Sequence, residues 1–196
     1  DKNNNGNNLH SGLAYYHYRM WNVKNITENS ITFSLHSPDG DQGFPGTFDV
    51  DVTYTLTDDN ELRIDYNGVS DADTIVNMTN HSYFNLNGAA SDSILELELW
   101  LNADAFTRVN NEMISTGEIL DVTGTAMDFR TVKTFGRDIN NDEEPLNIGA
   151  GYDHNFVLDD KKEVRIMAEA ICEETGIHLY GYTDCPGVQL YASNFV

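Results

Sequence analysis

With 196 residues, 40% of them hydrophobic and 11% aromatic, the chain can bury a substantial core in one domain and is too apolar for a disordered segment. Its 32 acidic side chains against 11 basic ones leave a net charge of −21, which argues against nucleic acid and against anionic membrane surfaces as partners. No apolar run approaches the roughly 20 residues that span a bilayer. No secretory leader is visible in the opening Asp1-Lys2-Asn3-Asn4-Asn5-Gly6, so a cytoplasmic location is the expectation, and the missing initiator Met fits a processed or partial chain.

The first residues are polar. Leu9-His10-Ser11-Gly12 leads into an aromatic cluster of Tyr15, Tyr16, Tyr18 and Trp21. Ile31–Leu35 alternates apolar and polar residues, and Ser37–Gly46 is dense in turn formers. Phe48–Leu56 alternates over nine residues, as a half-buried strand does. After the turn Thr57–Asn60, Leu62, Ile64 and Tyr66 continue the pattern, which predicts a hairpin over 48–66. Leu95, Leu97, Leu99 and Leu101 predict another strand. Further strands are expected at 164–170 and 177–182 around the turn Glu173–Gly176, with a shorter one at 155–158. No stretch carries a helical period. Short strands joined by Gly/Asn/Asp turns, with no repeat and no linker, imply a single all-β sandwich or barrel over residues 1–196.

Two stretches stand out chemically. Thr79-Asn80-His81-Ser82-Tyr83-Phe84-Asn85-Leu86-Asn87-Gly88 and Gly151-Tyr152-Asp153-His154-Asn155-Phe156 each set a histidine among carboxamides and aromatics. Histidine exchanges protons near neutral pH. Carboxamides match sugar hydroxyls, and aromatic faces match the C–H patches of a pyranose. His81 and His154 are therefore expected to meet in one cleft and act on a sugar ring, which requires that both rings be reachable from solvent. A lone histidine is more often structural, and the polar and aromatic company is what favours chemistry here.

Other chemistries have less support. No His-X-X-X-His or Cys-X-X-Cys spacing marks a metal site. No Gly-X-Ser-X-Gly, Walker or Gly-X-Gly-X-X-Gly pattern occurs. Among the many acids, no glycosidase-like pair is singled out. Cys172 and Cys185 read as free thiols, though a pair is conceivable. The sequons at Asn25, Asn77 and Asn80 are what chance gives in an Asn- and Thr-rich chain. Asp184 reads as a turn residue, and Gln189 and Tyr191 as the polar face of a strand. Asp128-Phe129-Arg130 reads as a local ion pair that neutralises the arginine.

These segments, in this order, resemble the aldose 1-epimerases, or galactose mutarotases. The likeness rests on Asn8–Gly12, Asp39–Gly46, Val52–Leu56, Asn77–Gly88, Ser115-Thr116-Gly117-Glu118, Gly124–Arg130, Gly151–Leu158 and Pro186–Phe195. It implies an antiparallel β-sandwich of the mutarotase type and interconversion of the α and β anomers of a free aldose such as galactose or glucose, without cofactor. By that resemblance His154 is the general acid at the ring oxygen and His81 helps bind and polarise the same region, with Asn155 and Phe156 lining the sugar site. The family's base, a glutamate, is expected beyond Val196. A sugar-binding Pro-Asp segment is also expected downstream, and an Asn-Arg segment before Asn8. The piece as given is expected to be inactive or very weak. Ser11 stands where the family usually has a second glycine. A non-catalytic sugar-binding module and a plain interaction domain are the alternatives, and a sugar-phosphate epimerase is disfavoured by the scarcity of basic residues.

Overall fold

A computed structural model describes residues 1–91, 93–159 and 161–194. Phe195, the last residue of the C-terminal family-like segment, lies outside them. The chain divides into two compact units, residues 1–81 and 82–196.

The first unit is one antiparallel four-stranded meander, β1 (Asn22–Ile26), β2 (Ser30–Ser37), β3 (Phe48–Leu56) and β4 (Leu62–Ser70), in that spatial order. The alternation on β3 is realised: Phe48, Val50 and Val52 are buried, while Asp49 faces solvent. With Leu35 of β2 they form a small core against which Tyr16, Trp21, Tyr54, Ile64 and Met78 pack. The expected hairpin pairs in full, from Phe48 opposite Ser70 to Leu56 opposite Leu62. On β4 the apolar face is covered only in part: Ile64 packs against that core, while Leu62 and Tyr66 are exposed. Gly68 is needed there: a Cβ would stand 2.5 Å from the Phe48 ring.

The second unit has two antiparallel four-stranded sheets. One, in the order β11-β10-β5-β8, contains β5 (Glu98–Leu101), β8 (Lys133–Thr134), β10 (Arg165–Cys172) and β11 (Ile177–Thr183). The other, in the order β12-β9-β6-β7, contains β6 (Ala105–Val109), β7 (Ser115–Asp121), β9 (Asp153–Val157) and β12 (Gly187–Tyr191). One core cluster draws Leu99, Leu101 and Cys172 from the first sheet and Phe106 and Phe156 from the second. Burying one face of each sheet against a shared core is the sandwich solution. The predicted strand at 95–101 is shorter than expected. Leu95 and Glu96 form a turn in which the Leu97 N–H donates to the Ile94 carbonyl, although Leu97, Leu99 and Leu101 are buried as the alternation requires. Strands β1, β6 and β7 have weak apolar alternation and were not expected. The helix α1 (Glu144–Gly149) is a single short turn-and-a-half opened by a proline, too brief for a period to show.

Around α1 the core closes on a polar knot. The Lys133 side chain is fully buried, its Nζ donating to the Ala126 carbonyl and to Asp138 Oδ2 at 2.8 Å, and lying 4.1 Å from the centroid of the Phe129 ring. Tyr152 Oη also donates to the Ala126 carbonyl, and Glu143 accepts the Ala126 N–H. Burial pushes the Lys133 ammonium below its ordinary pKa, with Asp138 opposing the shift. Arg130 is neutralised as expected, by Asp128 at 2.7 Å and Asp104 at 3.0 Å. Both cysteines are free, Cys172 buried and Cys185 exposed.

Candidate active site

Residues Gly151–Val157 run from a left-handed glycine into β9. Gly151 has φ +126°, and a Cβ there would strike the Asn194 carboxamide at 2.5 Å. That carboxamide donates to the carbonyls of Gly149 and Tyr152 at 2.9 Å each, clamping the turn that precedes His154. The period of two along β9 then sorts the residues. His154 and Phe156 face inward, while Asp153 and Asn155 take the opposite face.

His154 is 1% exposed, so the solvent access anticipated for both rings is absent at this one. Phe106 meets its ring edge-on, with centroids 5.9 Å apart, and an ideal Cβ on Gly149 would lie 3.1 Å from its Cε1. Nδ1 accepts the Asp153 N–H at 3.2 Å, which puts the proton of the neutral ring on Nε2. Nε2 is buried without a hydrogen-bond partner, the only such side-chain atom identified among the described residues. Burial lowers the imidazole pKa below 6.5, with the Asp153 charge pulling it back up. A buried donor left unsatisfied costs about 1–3 kcal/mol, so it requires an explanation, and a ligand acceptor is one.

Phe156 is fully buried and packs with Phe106 and Phe129, so in this structure it belongs to the core behind His154. Asn155 donates to Thr107 Oγ1 at 3.0 Å and sits opposite Gln189 of β12. Gln189 donates to Asp153 Oδ1 at 2.7 Å, and Gly187 approaches so closely that a Cβ would meet Asn155 Oδ1 at 2.4 Å. Asp153, Asn155 and Gln189 thus form a polar ladder across β9 and β12, while His154 points the other way.

His81 closes the first unit. It is exposed, and its ring meets His10 at 5.4 Å between centroids and 68° between planes. Asn80 beside it donates to the Tyr54 hydroxyl at 3.3 Å. The rest of that stretch opens the second unit. Asn85 caps its own turn by accepting the Asn87 N–H, Leu86 enters the core, and Asn87 accepts from the Cys172 thiol at 3.1 Å. Tyr83 and Phe84 are exposed, and Tyr83 lies 5.9 Å from the Tyr191 ring. Sequence reasoning gave His10 no role.

A polar depression of about 370 Å³ lies between Gly124–Ala126 and Asp138–Glu143, and none of His81, His154, Asn155 and Phe156 lines it. Among the described residues no three His, Cys, Asp or Glu side chains gather as a metal site, and no helix is long and apolar enough to cross a membrane.

The aldose 1-epimerase family model matches residues 1–196. The chain is 42% identical over 194 residues to a galactose mutarotase of Sus scrofa, covering 99% of this chain and 55% of that protein. It is 41% identical over 191 residues to an aldose 1-epimerase of Haemophilus influenzae, covering 96% and 54%. Among solved structures, a GalM/aldose epimerase homologue from C. elegans superposes with a TM-score of 0.89 at 35% identity, over 99% of this chain and 57% of that one. A galactose 1-epimerase from Lactobacillus acidophilus gives 0.85 at 29%, over 98% and 56%. The chain spans a little over half the length of the relatives it matches. It belongs to the aldose 1-epimerase family, and its antiparallel sheets are of the mutarotase type.

Proposed function

We propose that these residues form the acid-bearing part of an enzyme that interconverts the anomers of a free hexose such as galactose or glucose. The observation that carries the reading is the buried, unpartnered Nε2 of His154 within Gly-Tyr-Asp-His-Asn-Phe. In this reaction a base takes the proton of the C1 hydroxyl while an acid protonates the ring oxygen. The ring opens to the aldehyde, C1 turns about the C1–C2 bond, and closure gives the other anomer.

His154 is assigned the acid step through Nε2. His81 contributes a second imidazole to sugar binding and polarisation. Asn155, on the opposite face of β9, supports the site by tying the strand that carries His154 to Thr107, and Phe156 supports it by packing behind the acid. Because the His154 ring is covered, a sugar reaches Nε2 only after a local rearrangement of that cover. Because burial keeps the ring neutral at pH 7, the acid step also needs conditions that favour the imidazolium, such as an approaching carboxylate. No cofactor takes part.

The test is polarimetric mutarotation by the full-length protein. His154→Asn should lower kcat by about 10²-fold or more while the variant still melts cooperatively. A folded variant with an unchanged rate removes His154 from the acid role.

A further inference from the structure

His81 sits on an exposed stretch outside the strands. Its ring meets that of His10 at 5.4 Å and 68°, an edge-to-face geometry. His10 is itself held in an unusual way. Three consecutive residues, His10 (φ 48°), Ser11 (φ 65°) and Gly12 (φ 113°), adopt left-handed backbone, although two of them carry a Cβ. Such conformations persist only where the surroundings over-determine them, and they concentrate at functional sites.

The surroundings here do so from three sides. The Asn3 carboxamide accepts the Leu9 N–H at 2.7 Å and donates to the Leu9 carbonyl, the Gly12 carbonyl and the Tyr15 hydroxyl at 2.9, 3.0 and 2.9 Å. Gln42 Oε1 accepts the Ala14 N–H at 3.0 Å and fills the place where a Cβ on Gly12 would go, 2.6 Å away. Arg19 donates through Nε and Nη2 to the Ala14 carbonyl and pairs with Asp41, which it holds at a pKa of about 2. On its other flank the His10 ring lies 6.4 Å from Tyr15, which stacks on His17 at 4.9 Å and 16°. These bonds hold the backbone on both sides of His10, and so fix the direction in which its ring leaves the chain toward His81.

We propose that His10 is a positioning residue: it sets the orientation of the His81 imidazole for sugar binding. The proposal rests on the reading of His81 given above and adds what holds that ring in place. Ring contact, and not proton exchange, carries the effect, so an aromatic ring without nitrogen should serve.

The experiment compares wild type, His10→Ala, His10→Phe and His81→Ala in the full-length protein. It uses NMR of the His81 ring protons together with galactose mutarotation. His10→Ala should shift the His81 resonances by loss of the neighbouring ring current and lower kcat/KM by about tenfold, while the fold stays intact by circular dichroism. His10→Phe should restore both. If His10→Ala leaves the His81 resonances in place, or if His10→Phe rescues neither readout, the positioning role is overturned. If His81→Ala has full activity while His10→Ala still moves the His81 signals, the functional reading of His81 fails and the positioning role falls with it, leaving a structural contact alone.

Discussion

The two units solve the same problem differently. Residues 1–81 make one open sheet whose buried cluster is Leu35, Phe48, Val50 and Val52. The described residues of the second unit make two sheets around a larger buried cluster, from Leu86 to Cys172, with a fully buried lysine at its edge. A single sheet that buries one face has a small core, and here the loops beside it are pinned by side-chain hydrogen bonds. A double sheet can enclose polar atoms, and there the candidate acid is buried. His81, at the end of the first unit, is exposed and leans on the His10 ring, whereas His154, in the second, is packed and lacks a partner for one nitrogen.

Each unit carries one tryptophan, Trp21 in the first and Trp100 in the second, so the contrast can be read separately. The largest effect is expected from Lys133→Ala. It removes the buried cation from the Ala126 carbonyl and from Asp138, which keeps Arg137 at 3.0 Å, and should cost about 3 kcal/mol, seen as a lowered denaturation midpoint of Trp100 fluorescence in a Trp21→Phe background. Gly68→Ala comes next. The new Cβ presses on Phe48 and should cost about 1–3 kcal/mol, reported by Trp21, which packs against the first cluster. Coincident midpoints at both tryptophans in both variants would mean that the division has no energetic content.

Acid should act first through His154. Its folded pKa lies below 6.5, so the unfolded chain binds more protons as pH falls through that value. The stability it contributes is therefore complete above pH 6.5 and is lost on acidification toward the folded pKa, at no more than about 1.4 kcal/mol per pH unit. His154→Asn should remove that slope between pH 7 and 5 in urea titrations; an unchanged slope would show that another group carries it. The smallest effect is expected from Ser11→Gly, which relieves a left-handed serine and should raise stability by less than about 1 kcal/mol, and a loss instead would show that the serine is not strained there.

Much of the architecture was legible. The nine-residue alternation of Phe48–Leu56 marked its buried face, and the β10–β11 hairpin fell where the turn Glu173–Gly176 put it. The strands that escaped, β1, β6, β7 and the two-residue β8, lack a clean alternation; β1 is exposed along its length and β7 nearly so, and no apolar face marks either one. The shortened strand ahead of Glu98 shows a leucine pattern overruled by a local turn. At the site, the two histidine segments were recognisable from residue types alone, whereas the burial of His154, the core placement of Phe156 and the ring contact with His10 were not.

Sequence alone determined the strand-rich class, the family and the two histidine segments, since these depend on short-range periodicity and on residues adjacent in the chain. Tertiary structure decided which polar atoms lost their water. The buried Lys133, the unpartnered Nε2 of His154 and the ring beside His81 are set by groups brought together in space, up to 71 positions apart in the chain for His10 and His81, and desolvation is a property of what surrounds an atom in space.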